Sequence, residues 1–290
     1  MTFKKRELLS LTAGLASTFA IGAAPAWAGK PIKLGYASWT DSEFVARLLA
    51  KLIGDNLRTP VELVRTDIAL LFQGIARGDL DVMMMAWLPV THADYWKRIE
   101  GKAERLGTFY KGRNGWVVPG YVPEAELSSI ADLTKPEVRK KMGGIIQGIE
   151  PGAGLTRISL GALEAYGLDG YRLQEASELA MLSVVDRALR QERWVVATAW
   201  SPHWMFGKYD LRYLADPKKA LGGEEESIAL GRPGLSKDHP EVAAFLSRVQ
   251  ITLKDLEQGM LVSQEKDFDT AIGRFIDEHA TTVQGWLAGA

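Results

Sequence analysis

The sequence predicts an α/β fold built as two lobes with a cleft between them. Three observations lead there. Apolar segments of strand length alternate with amphipathic segments of helical period. The alternation runs through one β-α-β-α-β series, pauses near residue 118 and then starts again. The first 28 residues have the make-up of an export leader, which places a two-lobed chain outside the cytoplasm.

In order, Ile32 to Tyr36 within KPIKLGYASW reads as the first strand. In DSEFVARLLAKLIGDNL, Phe44, Leu48, Leu49, Leu52 and Ile53 share one helical face, and Asp41 or Ser42 stands where a cap belongs. PVELVRT is a second strand, IALLFQGIARGDL a helix stopped by Gly78, and DVMMMAW a third strand. That order favours a parallel sheet covered on both faces. GWVVPGYV reads as an extended crossover. The second series is the strand GGIIQGIE, the helix TRISLGALEAYGL, the strand LQEAS, the helix ELAMLSVVDRALRQER and the strand WVVATAW. From PEVAAFLSRV to TTVQGWLAG the pattern is helical. The expected organisation is a leader over 1–28, a first lobe from 29–117 plus 227–290, and a second lobe from 118–226. No internal repeat shows in the sequence.

With 290 residues, 47% of them hydrophobic, the chain can bury two modest cores. Its 35 basic and 36 acidic residues leave a net charge of −1, so neither a nucleic-acid partner nor an acidic disordered tail is expected. The absence of cysteine excludes disulfides, thiolate metal sites, a cysteine nucleophile and a lipid-bearing cysteine. The four histidines, His92, His203, His239 and His279, are dispersed, so neither a zinc site nor any other cofactor is expected. At the N-terminus, MTFKKRELLS is basic, LTAGLASTFAIGAA is apolar but short for a membrane span, and AWA offers cleavage after Ala28. KKRELL lacks the arginine pair of a twin-arginine leader. Cleavage removes Lys4, Lys5, Arg6 and Glu7 and takes the net charge from −1 to −3. The expected location is the periplasm; an uncleaved N-terminal membrane anchor is the alternative.

Ligands of open α/β sheets bind beyond the carboxyl ends of the strands. Three predicted strands end in tryptophan: Trp39 in YASW, Trp87 in MMAW and Trp200 in VVATAW. A core gains nothing from putting its indoles at one end of each strand, whereas Trp96, Trp194 and Trp286 fall in or beside helical patterns. Converging indole faces suit a quaternary ammonium, which cannot donate hydrogen bonds, at about 0.5–2 kcal/mol per ring. Micromolar binding needs about 8 kcal/mol, so further contacts are required. GIEPGAGLTR turns from a strand into a helix, and Gly152 and Gly154 let its amides face an anion. It lacks the lysine of a phosphate loop and the full G-x-G-x-x-G spacing, so a carboxylate suits it better than a nucleotide. His92, five residues past Trp87 and beyond Pro89, offers an imidazole N–H to the same anion. A caged cation beside an anion site describes a zwitterion.

GYASWTDSE, LFQGIARGDLDVMMMAWLPVTH, GIEPGAGL and TAWSPHWMFGKYDLRYLADP together resemble the glycine betaine-binding proteins of ABC-type osmoprotectant importers, in the same order over nearly the whole mature chain. The resemblance implies a two-lobed periplasmic binding protein of type II-like form, monomeric and without catalytic activity, that holds its ligand in the interdomain cleft and delivers it to a membrane permease. It implies a cage of Trp39, Trp87 and Trp200, with the ligand carboxylate held by His92 and the amides of Gly154 and Leu155. SWTDS also resembles choline-binding relatives, in which an acid such as Asp41 lies beside the cation. Asp41 has the competing role of capping its helix, and choline would need neither His92 nor the amides, so a betaine is the first expectation and choline the second. Trp116 or Tyr110 could supply a fourth ring. The rivals are an exported hydrolase using Ser201 and His203, which lacks a G-x-S-x-G elbow, and a scaffold protein, which would have no reason to align its indoles.

Overall fold

The structure, a computed structural model, describes residues 30–289; the predicted leader and its cleavage site lie outside the described residues. The first series forms as expected: β1 (Ile32–Tyr36), α1 (Thr40–Leu57), β2 (Val61–Arg65), α2 (Ile68–Arg77) and β3 (Val82–Leu88), with β2–β1–β3 paired in parallel. The predicted apolar face of α1 is the one it buries. Gly78 ends α2 at φ 75°, donating its N–H to Gly74 and Ile75. After α3 (Ala93–Ile99) come β4 (Glu104–Pro119) and α4 (Pro136–Met142). The second series is β5 (Ile145–Gln147), α5 (Gly154–Tyr166), β6 (Arg172–Gln174), α6 (Glu178–Arg190) and β7 (Val196–Ser201), with β7–β5–β6 again parallel. Then follow α7 (Met205–Lys208), β8 (Leu211–Tyr213), β9 (Glu224–Gly231), α8 (Leu235–Asp238), α9 (Pro240–Arg248), α10 (Leu253–Glu265), α11 (Phe268–Glu278) and α12 (Ala280–Leu287). α9, α10 and α11 pack on α1, on the side of the first series.

The two series are expected to form separate sheets; instead one nine-stranded sheet joins them in the order β2-β1-β3-β9-β4-β7-β5-β6, with β8 beside β4. The join is antiparallel. β4 pairs with β9 from Glu104 to Arg113 and with β7 from Arg113 to Val117, so it changes partner at Arg113. The segment expected as a crossover is the carboxyl end of this strand. β9 appears in no sequence pattern because its inward positions include Glu225 and Ser227, both buried, where an apolar alternation would be sought.

β3 departs from regular pairing between Met83 and Ala86, and Met85 sits at φ 73°, a region that a non-glycine side chain rarely occupies. The Met85 sulfur lies 3.2 Å from the hydroxyls of both Tyr110 and Ser227. This bulge is two residues before Trp87, where bulges characteristically re-aim side chains.

Where the lobes meet, Gly112 of β4 lets three chain segments converge. A Cβ there would stand 2.4 Å from the carbonyl oxygen of Ser201 and 2.6 Å from the Trp87 ring. One neighbour is backbone and cannot rotate away. Gly112→Ala is therefore expected to cost about 1–3 kcal/mol, read as a lower urea midpoint at an unchanged slope.

Candidate functional site

At the carboxyl ends of β1, β3 and β7 the lobes form a small cavity, with about 30 Å³ of space for the centre of a water-sized molecule. Trp39, Asp41, Trp87, His92, Leu155 and Trp200 all line it. Thr91, Asn114 and Ile149 complete the wall and were not anticipated from sequence.

Two of the three indoles sit at strand ends, Trp87 in β3 and Trp200 in β7. Trp39 does not: β1 stops at Tyr36, and Trp39 is the extended N-cap residue of α1, with φ −89° and ψ 144°. The turn between them forms because the Ser42 hydroxyl accepts the Ala37 N–H at 3.1 Å. The rings are held from behind. Trp39 lies parallel to His92, with centroids 6.1 Å apart, and its Nε1 donates to Glu150 of the other lobe at 2.5 Å. Trp87 meets Tyr110 edge to face at 6.0 Å, and Trp200 meets His203 edge to face at 4.6 Å. Tyr110 thus stands behind Trp87 and off the cavity wall, and Trp116 belongs to the core, fully buried with Nε1 donating to Ser159 at 3.0 Å.

Asp41 does not cap its helix. It lies in the first turn of α1, 1% exposed, with its carboxylate turned to the cavity. Oδ2 is 3.1 Å from the Tyr110 hydroxyl; Oδ1 is buried with no partner among the described residues. Burial first, and then the nearby Glu178 charge, raise its pKa from 3.8 to about 7.

His92 is also 1% exposed. Its Nδ1 accepts the backbone N–H of Trp87 at 2.9 Å, so the proton of the neutral ring resides on Nε2. That Nε2 is buried without a partner among the described residues. Burial, assisted by the positive charge of Arg157, lowers the pKa from 6.5 to about 3, so the group is a neutral donor. His203 makes the contrast. Its Nδ1 accepts the Met205 N–H at 3.0 Å, and its Nε2 lies 3.1 Å from a carboxylate oxygen of Glu178. One histidine finds its acceptor in the protein; the other presents the same donor to the cavity. Ser201, the would-be nucleophile of a hydrolase, donates to Glu257 at 2.9 Å rather than to His203.

The loop carrying His92 is held by Glu225 of β9. This buried carboxylate accepts the N–H groups of Val90 and Thr91, both at 2.8 Å, together with the Thr91 hydroxyl and the Asn114 amide. Opposite it, α5 begins at Gly154 after Ala153, which provides no side-chain cap, so the first-turn amides of Gly154 and Leu155 have no intrahelical acceptor. Leu155 lines the cavity; Gly154 lies against the His92 loop. A Cβ at Gly154 would stand 2.3 Å from the Thr91 carbonyl oxygen and 2.9 Å from the His92 ring. Arg157 crosses the same junction to the carbonyls of Val90 (2.9 Å) and Thr91 (3.1 Å), and the Tyr95 hydroxyl donates to that of Gly152 (2.7 Å).

Residues 30–278 match the sequence model of the substrate-binding domain of ABC-type glycine betaine transport systems. The chain belongs to this family. It is 34% identical over 158 residues to the glycine betaine/carnitine transport binding protein GbuC of Listeria monocytogenes, an alignment covering 53% of each protein, so the chain spans about half the length of that curated relative. The lactococcal OpuAC structure, closed and complexed with glycine betaine, superposes with a TM-score of 0.82 at 35% identity, covering 89% of this chain and all of that one. The ProX glycine betaine/L-proline-binding protein of Borrelia burgdorferi gives a TM-score of 0.82 at 27% identity, covering 90% and 97%. The family's two-lobed form with the ligand in the cleft agrees with the cavity's place at the ends of the parallel strands.

Because the folded-state pKa of His92 is depressed, its neutral form stabilises the fold above pH 6.5, and that stability is lost as pH falls from 6.5 towards about 3. In ¹⁵N NMR, His92 is expected to hold the Nε2–H tautomer unchanged from pH 8 down to about 5, whereas a solvated histidine would titrate in that interval.

Proposed function

We propose that this chain binds glycine betaine, or a close relative pairing an onium with a carboxylate, in the cavity between its lobes. The observation that carries this reading is that one cavity contains both an indole-lined end and a buried, unpaired neutral N–H, that of His92. The onium lies among Trp39, Trp87 and Trp200, which attract charge through their ring faces. Its carboxylate accepts from His92 Nε2–H and from the amides of Gly154 and Leu155 at the positive end of α5. A neutral donor suits a ligand whose net charge is zero. The protein is exported to the periplasm as a monomer and delivers the ligand to the permease of an ABC importer. Its lobes comprise 29–117 with 227–290, and 118–226, a division supported by the change of partner along β4.

A second reading, choline as ligand, is favoured by the unpaired Oδ1 of Asp41. Choline supplies the positive charge that an ionised Asp41 lacks in the cavity, but it leaves His92 Nε2–H without an acceptor.

Titration of tryptophan fluorescence separates the two. Wild-type protein is expected to bind glycine betaine ahead of choline, and His92→Ala to weaken glycine betaine by about ten- to a hundred-fold, the scale of a hydrogen bond to a charged group, with a much smaller change for choline. Equal losses for both ligands refute the carboxylate role. Asp41 adds a dependence on pH. Its ionised form, favoured above about 7, attracts an onium, so the choline affinity relative to that of glycine betaine is expected to rise between pH 6 and 8, and this slope to vanish in Asp41→Asn.

A further inference from the structure

Glu178 opens α6 in the second lobe, yet two of its three hydrogen bonds reach into the first. Its carboxylate accepts the backbone N–H of Thr40 at 2.9 Å and the Thr40 hydroxyl at 2.6 Å, across 138 residues of sequence. The third donor is His203 within its own lobe, at 3.1 Å. The residue is 6% exposed. Thr40 is the first residue of α1, between Trp39 and Asp41, both of which line the cavity. The N-cap residue of α1, Trp39, forms no side-chain cap bond. A carboxylate from the opposite lobe takes the place that a serine or aspartate at the N-cap position would fill, with the charge that a helix N-terminus favours.

We infer that Glu178 is a closure-dependent positioning residue: as the lobes close it caps α1 across the cleft, holds Trp39 and Asp41 against the ligand, and so sets how long the ligand stays. The inference rests on the betaine-binding reading above. With the lobes apart, the Thr40 N–H and the Glu178 carboxylate each face water, and only the closed form gains from their pairing. The bond therefore contributes to residence time and not to the stability of the open protein. If Glu178 instead served only as local support of α6 through His203, its loss would lower the stability of the ligand-free protein.

Stopped-flow fluorescence with glycine betaine, on wild type, Thr40→Val, Glu178→Gln and the double variant, tests this, alongside calorimetric unfolding of each without ligand. Glu178→Gln keeps the shape of the side chain while losing its charge, and Thr40→Val probes the same contact from the other lobe without disturbing His203. The expected result is dissociation faster by about tenfold in Glu178→Gln, the scale of one lost charged hydrogen bond, and by a smaller factor in Thr40→Val. The double variant should be no faster than Glu178→Gln alone, association rates should hold, and the ligand-free unfolding temperatures should match wild type. Wild-type dissociation rates in both single variants, independent multiplying effects in the double variant, or a ligand-free unfolding temperature that falls in step with the rate would each overturn the inference. A wild-type protein that binds neither glycine betaine nor choline would instead remove the function on which it rests.

Discussion

The hydrogen bond from the Trp87 amide to Nδ1 of His92, at 2.9 Å, ties the two ends of the cavity to a single strand end. It settles the tautomer, and through it the identity of the atom facing the cavity. Were that nitrogen an acceptor instead, it would repel a carboxylate. The same bond holds the imidazole parallel to Trp39, so the ring that the betaine reading assigns to the anion also backs one that it assigns to the cation. Burial keeps the imidazole neutral, which suits the proposed ligand, because an imidazolium would bring a full charge to a molecule with no net charge.

The construction appears twice. β3 ends Trp87-Leu88-Pro89 and β7 ends Trp200-Ser201-Pro202, both prolines cis, and each is followed by a histidine whose Nδ1 accepts a backbone N–H. Each loop is anchored by a distant acid, Glu225 for the first and Glu257 for the second. The second histidine gives its Nε2 to Glu178 and so to closure; the first keeps its Nε2 for the cavity. No repeat shows in the sequence because the spacings differ: His92 lies five positions past Trp87, and His203 three past Trp200.

Where a residue's place in the fold follows from its own segment, the sequence was sufficient. The buried face of α1, the Gly78 stop of α2 and the indoles at two strand ends are local patterns, and the structure gathers six of the seven candidate site residues around one cavity, with the seventh, Gly154, against the His92 loop. What remained hidden depends on partners far along the chain. β9 was missed because Glu225 and Ser227 fill positions that a half-buried strand gives to apolar residues, and Glu225 is tolerated there only because a loop more than 130 residues away supplies its donors. Asp41 looked like a helix cap because acids near a helix start usually are; its turn towards the cavity depends on Tyr110 of β4. Glu178, an acid in a first turn, looks like simple dipole compensation until Thr40 is found against it.

Closure and ligand binding are coupled by a balance that these same atoms set. The cross-lobe bonds of Glu178, Glu150, Arg157 and Tyr95 favour the closed form. Against them, closing without a ligand buries His92 Nε2 and Asp41 Oδ1 unpaired, at about 1–3 kcal/mol each. A zwitterion removes both penalties together, by accepting from the imidazole and by placing positive charge near the carboxylate. Turning a two-state equilibrium from 1:99 to 99:1 takes about 5.5 kcal/mol, a figure these two atoms together reach only at the upper end of their cost, about 6 kcal/mol. A ligand with only the cation relieves one of them and leaves the histidine buried with its proton unmatched. On the betaine reading, selectivity for the zwitterion resides as much in what the closed cleft cannot tolerate unpaired as in the indoles that attract the onium.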